Sequence, residues 1–193
     1  MLAPRQVECL KSTSRRNDPG GSCCIRGAEI MDTSELAVLL RFMDQAFDKK
    51  AWHGPNLRGC FRRVTPEAAA WRPAPDRHSI AEIVLHAAYW KYVVRRKLHG
   101  LKRGSFPIKG SNWFPVPARL STEQWAGMIR LLEEEHRRLR EAVAAFPLES
   151  LHRNPHGSKL THAVLIEGIA CHDVYHAGQI QVLRALWKSE VDA

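Results

Sequence analysis

The chain has 193 residues, of which 45% are apolar and 25% are charged, and its formal net charge is +9. These proportions are ordinary for a soluble globular protein, and the length suits one domain with a substantial core. No apolar run approaches the roughly 20 residues of a membrane helix, and no apolar segment typical of a secretory signal follows the N-terminus. We therefore expect a cytoplasmic protein without a membrane partner.

The five cysteines contain no C-x-x-C pair. This pattern argues against a disulfide framework and against a zinc ribbon. Cys171 is expected to be a small, buried packing residue. The positive charge favours acidic small molecules or polyanions as partners. The basic residues are nevertheless spread along the chain, and no helix-turn-helix or aromatic RNA-binding pattern is present, so nucleic-acid binding is not expected.

The first 31 residues show no sustained hydrophobic period. They predict a disordered or loosely attached extension at 1–31, followed by one domain at 32–193. Asp32 or Thr33 is a candidate cap for the first helix of that domain, because both side chains accept hydrogen bonds from free backbone amides.

Four long segments have apolar residues spaced three and four apart, as in amphipathic helices. They cover about 34–51, 79–99, 121–146 and 160–188. Short helices are predicted near 56–64 and after Thr65, where Pro66 occupies the first helical position. Ser79 and Glu82 form a predicted capping box. Since no segment alternates like a strand, the sequence predicts an all-α protein, a four-helix bundle. The connection at 100–120 is long enough to be a lid or pocket wall.

Three histidines form the strongest functional pattern. His172 and His176 are four residues apart in one predicted helix, so both imidazoles leave the same face. His86 lies on the apolar face of another helix. Three such ligands would leave a coordination position open, which favours a catalytic metal over a structural one. Zinc, nickel, iron and manganese all remain candidates, because imidazole binds each of them.

Ligating histidines usually donate their second N–H group to an oxygen. Glu82, one turn before His86, and Gln179, three residues after His176, are the predicted partners. His53 is a candidate pocket residue, although packing at a helix end also accounts for it. The alternative is that these histidines are hydrogen-bonded core residues. The chain contains ten histidines, so their spacing can also arise by chance.

The segment from His172 to His176 also has the spacing of the H-E-x-x-H motif of zinc proteases. Asp173 stands at the position of the glutamate. Its side chain is one methylene shorter and would reach a metal-bound water poorly. The sequence therefore disfavours a protease.

Several segments, together with the spacing between them, resemble the DinB/YfiT family over about 32–188. The matching segments are 52–55, 65–73, 78–86 and 172–180. The resemblance implies an up-down-down-up four-helix bundle, often a homodimer, with a divalent metal held by His86, His172 and His176. Members of the family include S-transferases that use mycothiol or bacillithiol, and a mycothiol-dependent maleylpyruvate isomerase.

Two functions follow as hypotheses. The first is a metal-dependent transferase, of the thiol S-transferase type, or a hydrolase acting on a small molecule. In the transferase, a low-molecular-weight thiol would be the cosubstrate, because a nearby cation lowers the pKa of a thiol. The alternative is a non-enzymatic metal-binding protein with a stress or regulatory role.

Overall fold

A computed structural model describes residues 34–102 and 104–193. The predicted extension at 1–31 and the candidate caps Asp32 and Thr33 lie outside the described residues. These residues form six α-helices and one 3-10 turn: α1 (Glu35–Phe47), α2 (Leu57–Cys60), α3 (Pro66–Ala70), α4 (Ile80–Leu98), α5 (Thr122–Ala144), the turn (Leu148–Ser150) and α6 (His162–Val191). The described part of the chain contains no strand beyond an isolated bridge between Ser111 and Trp113. The all-α prediction is therefore confirmed.

Helix α1 differs from its prediction at both ends. Its N-cap is Ser34, whose hydroxyl accepts a hydrogen bond from the Ala37 amide at 3.3 Å. The helix ends at Phe47, four residues before the predicted end. Beyond the end of α1, the Lys49 carbonyl accepts a hydrogen bond from the Asn56 side chain at 2.8 Å and so does not bond to a helical amide.

Capping boxes define the starts of α4 and α5. In α4, Ser79 and Glu82 form the predicted capping box. In α5, Ser121 and Gln124 form the same arrangement. Each box satisfies two amides that would otherwise lack partners at a helix start.

The four long helices pack in a closed cycle. Helix α4 contacts α5 and α6, and α1 contacts the same two helices. Buried apolar side chains fill the space between them in two clusters, one centred on α4 and the other joining α1, α5 and α6. Because α4 and α6 are neighbours, side chains on their facing surfaces can meet.

Helix α6 has 30 residues, which corresponds to a length of about 45 Å. One residue on it differs from expectation: Cys171 is exposed, not buried. Its side chain lies about 100° around the helix from that of His172, and this direction faces away from the neighbouring helices. None of the helices in the described residues has the length and apolarity needed to cross a membrane.

Candidate metal centre

Helices α4 and α6 bring the three predicted histidines together. The Nε2 atom of His172 lies 3.0 Å from Nε2 of His86 and 3.0 Å from Nε2 of His176. One ring nitrogen from each residue lies within 4.8 Å of those from the other two. Bonds from zinc to histidine nitrogen are about 2.0–2.1 Å long, so two such nitrogens on one ion lie about 3 Å apart. The spacing of the rings therefore fits a shared ion.

The imidazoles are in the protonation state that a metal requires. Burial lowers the pKa of His172 to about 3 and that of His176 to about 4. Burial also lowers the pKa of His86. All three rings are consequently neutral near pH 7, and only neutral imidazole offers a nitrogen lone pair to a cation.

Hydrogen bonds orient two of the rings. His86 Nδ1 donates to the Asn112 carbonyl at 2.9 Å, which leaves its Nε2 lone pair directed at the other histidines. His176 Nδ1 donates to Oε1 of Gln179 at 2.6 Å, and Gln179 Nε2 donates to the Tyr175 hydroxyl at 3.1 Å. His172 Nδ1 is buried with no hydrogen-bond partner among the described residues.

Gln179 thus makes the contact expected of it, whereas Glu82 has different partners. The Glu82 carboxylate accepts from the Ser79 amide at 2.9 Å and forms an ion pair with Arg72. Burial opposes its charge, but the hydrogen bonds from Arg72 and Ser79 outweigh that effect and lower the pKa of Glu82. The position that we expected Glu82 to take beside His86 is occupied by the Asn112 carbonyl.

Asn112 and Trp113 belong to the site but were not identified from the sequence. Asn112 has a φ of 65°, a left-handed conformation that asparagine tolerates better than most residues. Its side-chain oxygen accepts from Trp90 Nε1 at 3.0 Å. The Trp113 ring stacks on His86 with centroids 3.9 Å apart. The only sequence signal for this pair was the unusual length of the connection that carries them.

A buried ion pair lies next to the histidines. Lys91 on α4 binds Asp173 on α6, and both side chains are almost completely buried. Burial lowers the pKa of Lys91 and raises that of Asp173, while the attraction within the pair opposes both shifts. Because Asp173 is engaged in this pair, it is not available as the general base of a protease.

An open cavity of about 840 Å³ adjoins the three histidines. We call it the histidine cavity. Its wall is mainly apolar and includes Ile83, Trp113, Val182, Leu183 and Leu186, with Arg77, His78 and Tyr175 among the polar residues. Its volume lies within the range usual for small-molecule sites. His53 is exposed and does not line this cavity.

Helical packing and three converging histidines beside a cavity define a candidate metalloprotein. The family model described as the DinB superfamily matches residues 51–180. This match covers more than half of the chain and contains all three histidines, so the chain belongs to the DinB superfamily. No curated protein and no solved structure matches it.

Proposed function

We propose that His86, His172 and His176 bind a divalent metal ion and that the protein is a metal-dependent enzyme acting on a small molecule. The convergence of three neutral imidazoles carries the first part of this proposal. The reaction is a thiol S-transfer or a hydrolysis. A bound divalent cation supplies charge that lowers the pKa of a coordinated thiol or water, and so produces a nucleophile near pH 7.

The surrounding residues have separate tasks in this proposal. Asn112 and Gln179 hold the rings of His86 and His176 with one nitrogen directed at the cation. Trp113 covers one face of His86 and keeps water from it. The apolar wall formed by Val182 and Leu186 favours a substrate with an apolar body.

The open cavity favours an enzyme over a purely structural metal site, because a structural site is normally closed by four protein ligands. Three histidines are the only group of this kind among the described residues. The metal remains one of zinc, nickel, iron and manganese, since the imidazole donor set suits each of them.

Elemental analysis of the purified protein, followed by thiol-transfer assays, tests this proposal. The triple variant His86→Ala, His172→Ala, His176→Ala should lose stoichiometric metal while circular dichroism shows a retained helical fold. The matched control is His152→Ala with His156→Ala, two exposed histidines outside the cluster. Stoichiometric metal in the triple variant would reject the site.

Catalysis is tested separately with the metal-loaded protein. Transfer of low-molecular-weight thiols to 1-chloro-2,4-dinitrobenzene is expected to depend on the metal and to disappear in the triple variant. Hydrolysis of a panel of ester and amide substrates tests the other reaction. Metal binding without turnover in either assay would favour the alternative, a non-enzymatic metal-binding protein.

The proposal includes a homodimer formed through α6. Large apolar side chains remain exposed along this helix: Val164 is 42% exposed, Tyr175 64%, Val182 59% and Leu186 45%. Their spacings of 11, 7 and 4 residues keep them near one face of the helix. A second copy packed on this stripe would remove it from water, and it would also border the histidine cavity, because Tyr175, Val182 and Leu186 line that cavity as well.

A further inference from the structure

A second cavity of about 570 Å³ lies at the C-terminal half of α4, apart from the histidine cavity. Three aromatic residues, Tyr89, Trp90 and Tyr92, are among the residues that line it. Clefts of this size with a mainly apolar lining and a few polar groups are typical small-molecule sites. We call it the basic cavity.

The charged residues of the basic cavity all carry positive charge. They are Arg96, Lys97 and Lys102, and none of the described residues in its wall is acidic. The adjacent Arg95 pairs with Glu135 at 3.0 Å. Arg96 instead donates twice to the neutral carbonyl of Lys102, at 2.8 and 2.6 Å. No carboxylate of the described residues therefore pairs with its positive charge.

These hydrogen bonds also hold Arg96 in place. Its guanidinium lies 5.8 Å from the centre of the Tyr92 ring, and the buried Tyr92 hydroxyl has no hydrogen-bond partner among the described residues. A guanidinium that is already ordered loses little conformational freedom when it binds an anion. Apolar rings beside an ordered cation suit a ligand that has an apolar body and an acidic group.

We propose that the basic cavity binds an amphiphilic organic anion, with its apolar body against Tyr89, Trp90 and Tyr92 and its acidic group at Arg96, Lys97 and Lys102. This site differs from the proposed metal centre and does not depend on it. Trp90 is common to both neighbourhoods, since its ring centroid lies 6.3 Å from that of His86. A ligand in the basic cavity would consequently contact a residue that adjoins the candidate metal ligands.

The test is calorimetric titration of the full chain with 1-naphthoate and with its neutral analogue 1-naphthalenemethanol, with and without a chelator. The anion should bind more tightly than the alcohol, whether or not metal is present. The double variant Lys97→Gln, Lys102→Gln should bind 1-naphthoate roughly three- to tenfold more weakly, because two exposed charge interactions are lost. Neither lysine side chain makes a hydrogen bond or an ion pair with another described residue.

The matched control is Lys159→Gln with Lys188→Gln, which removes the same charge from exposed positions outside this cavity. It should change the affinity less than twofold. Equal affinity of the anion for the wild type and for the Lys97, Lys102 variant would overturn the proposal. Equal affinity for the anion and the alcohol, or no binding of the anion to the wild type, would overturn it as well.

Discussion

At the residue scale, the conformation of Asn112 determines whether its carbonyl reaches His86. Asn112→Val places a β-branched residue at a φ of 65°, where such side chains are strained. We expect the carbonyl to move away from His86 Nδ1 and zinc affinity to fall roughly tenfold, as for other residues that orient metal ligands. Competition with a chromophoric chelator measures this affinity.

Asn112→Gly is the matched control, because glycine adopts the same φ without strain. This variant loses the side-chain hydrogen bond with Trp90 but keeps the backbone carbonyl, so zinc affinity should stay close to that of the wild type. Equal losses in the two variants would show that the Trp90 contact, not the carbonyl, matters. Equal affinity of the valine variant and the wild type would contradict the role of this residue.

Burial of histidine also predicts how stability depends on pH. Burial lowers the pKa of His136 to about 2, with His172 at about 3 and His176 at about 4. The unfolded chain binds protons near pH 6.5 at each of these residues, whereas the native protein does not. The contribution of these three residues to the free energy of unfolding is therefore fully present above pH 6.5, and it decreases as the pH falls towards 4.

Urea unfolding of the metal-free protein at a series of pH values measures this effect. For the deeply buried His136, the contribution is at most about 1.4 kcal/mol per pH unit. His136→Phe should flatten the profile between pH 6.5 and 4, while the exposed control His156→Phe should leave it unchanged. Coincident profiles of His136→Phe and the wild type would show that burial of His136 does not contribute to the pH dependence.

At the scale of helices, Lys91 and Asp173 join α4 to α6 beside the metal centre. Lys91→Met leaves the Asp173 carboxylate buried without its partner, and this should lower the free energy of unfolding by about 3–5 kcal/mol. The double variant Lys91→Met, Asp173→Leu removes both charges and should recover most of the stability. Denaturant unfolding of the two variants, combined as a double-mutant cycle with Asp173→Leu, measures the coupling.

Similar stability in the single and double variants would mean that the pair is not coupled. Zinc affinity gives a second readout, because the pair fixes contacts between the two helices that carry the histidines. If the pair sets their register, the double variant should bind zinc more weakly although it remains folded. Unchanged zinc affinity would limit the pair to a role in stability.

Features that depend on neighbouring residues in the chain were predictable from the sequence. The Ser79 and Glu82 capping box is one example, and the shared helix face of His172 and His176 is another. The meeting of His86 with the other two histidines followed only after a bundle was assumed. That assumption placed α4 next to α6.

Features that depend on competition between distant partners were not predictable. Glu82 was expected at His86, but Ser79 and Arg72 engage its carboxylate. Asn112 lies 26 residues from His86 along the chain, and an irregular connection has no periodicity from which its path can be derived. The pairing of Lys91 with Asp173 likewise depends on how two helices rotate against each other.

At the scale of the whole molecule, the exposed stripe on α6 predicts the oligomeric state. Val164→Glu introduces a charge into this stripe and should convert a homodimer into a monomer in sedimentation equilibrium. Val38→Glu is the matched control on α1, since Val38 is 43% exposed and Val164 is 42% exposed. A monomeric wild type, or equal dissociation by both variants, would contradict an interface on α6.

The connection between α4 and α5 carries Asn112 and Trp113 to His86, whereas the helices themselves hold the three rings. The connection thus supplies one wall of the histidine cavity, while α4 and α6 supply the metal ligands and other wall residues such as Ile83 and Val182. A laboratory that wished to retarget this protein could vary Trp113 and screen for new reactions, provided that its neighbour Phe114, which is buried in the core, is retained.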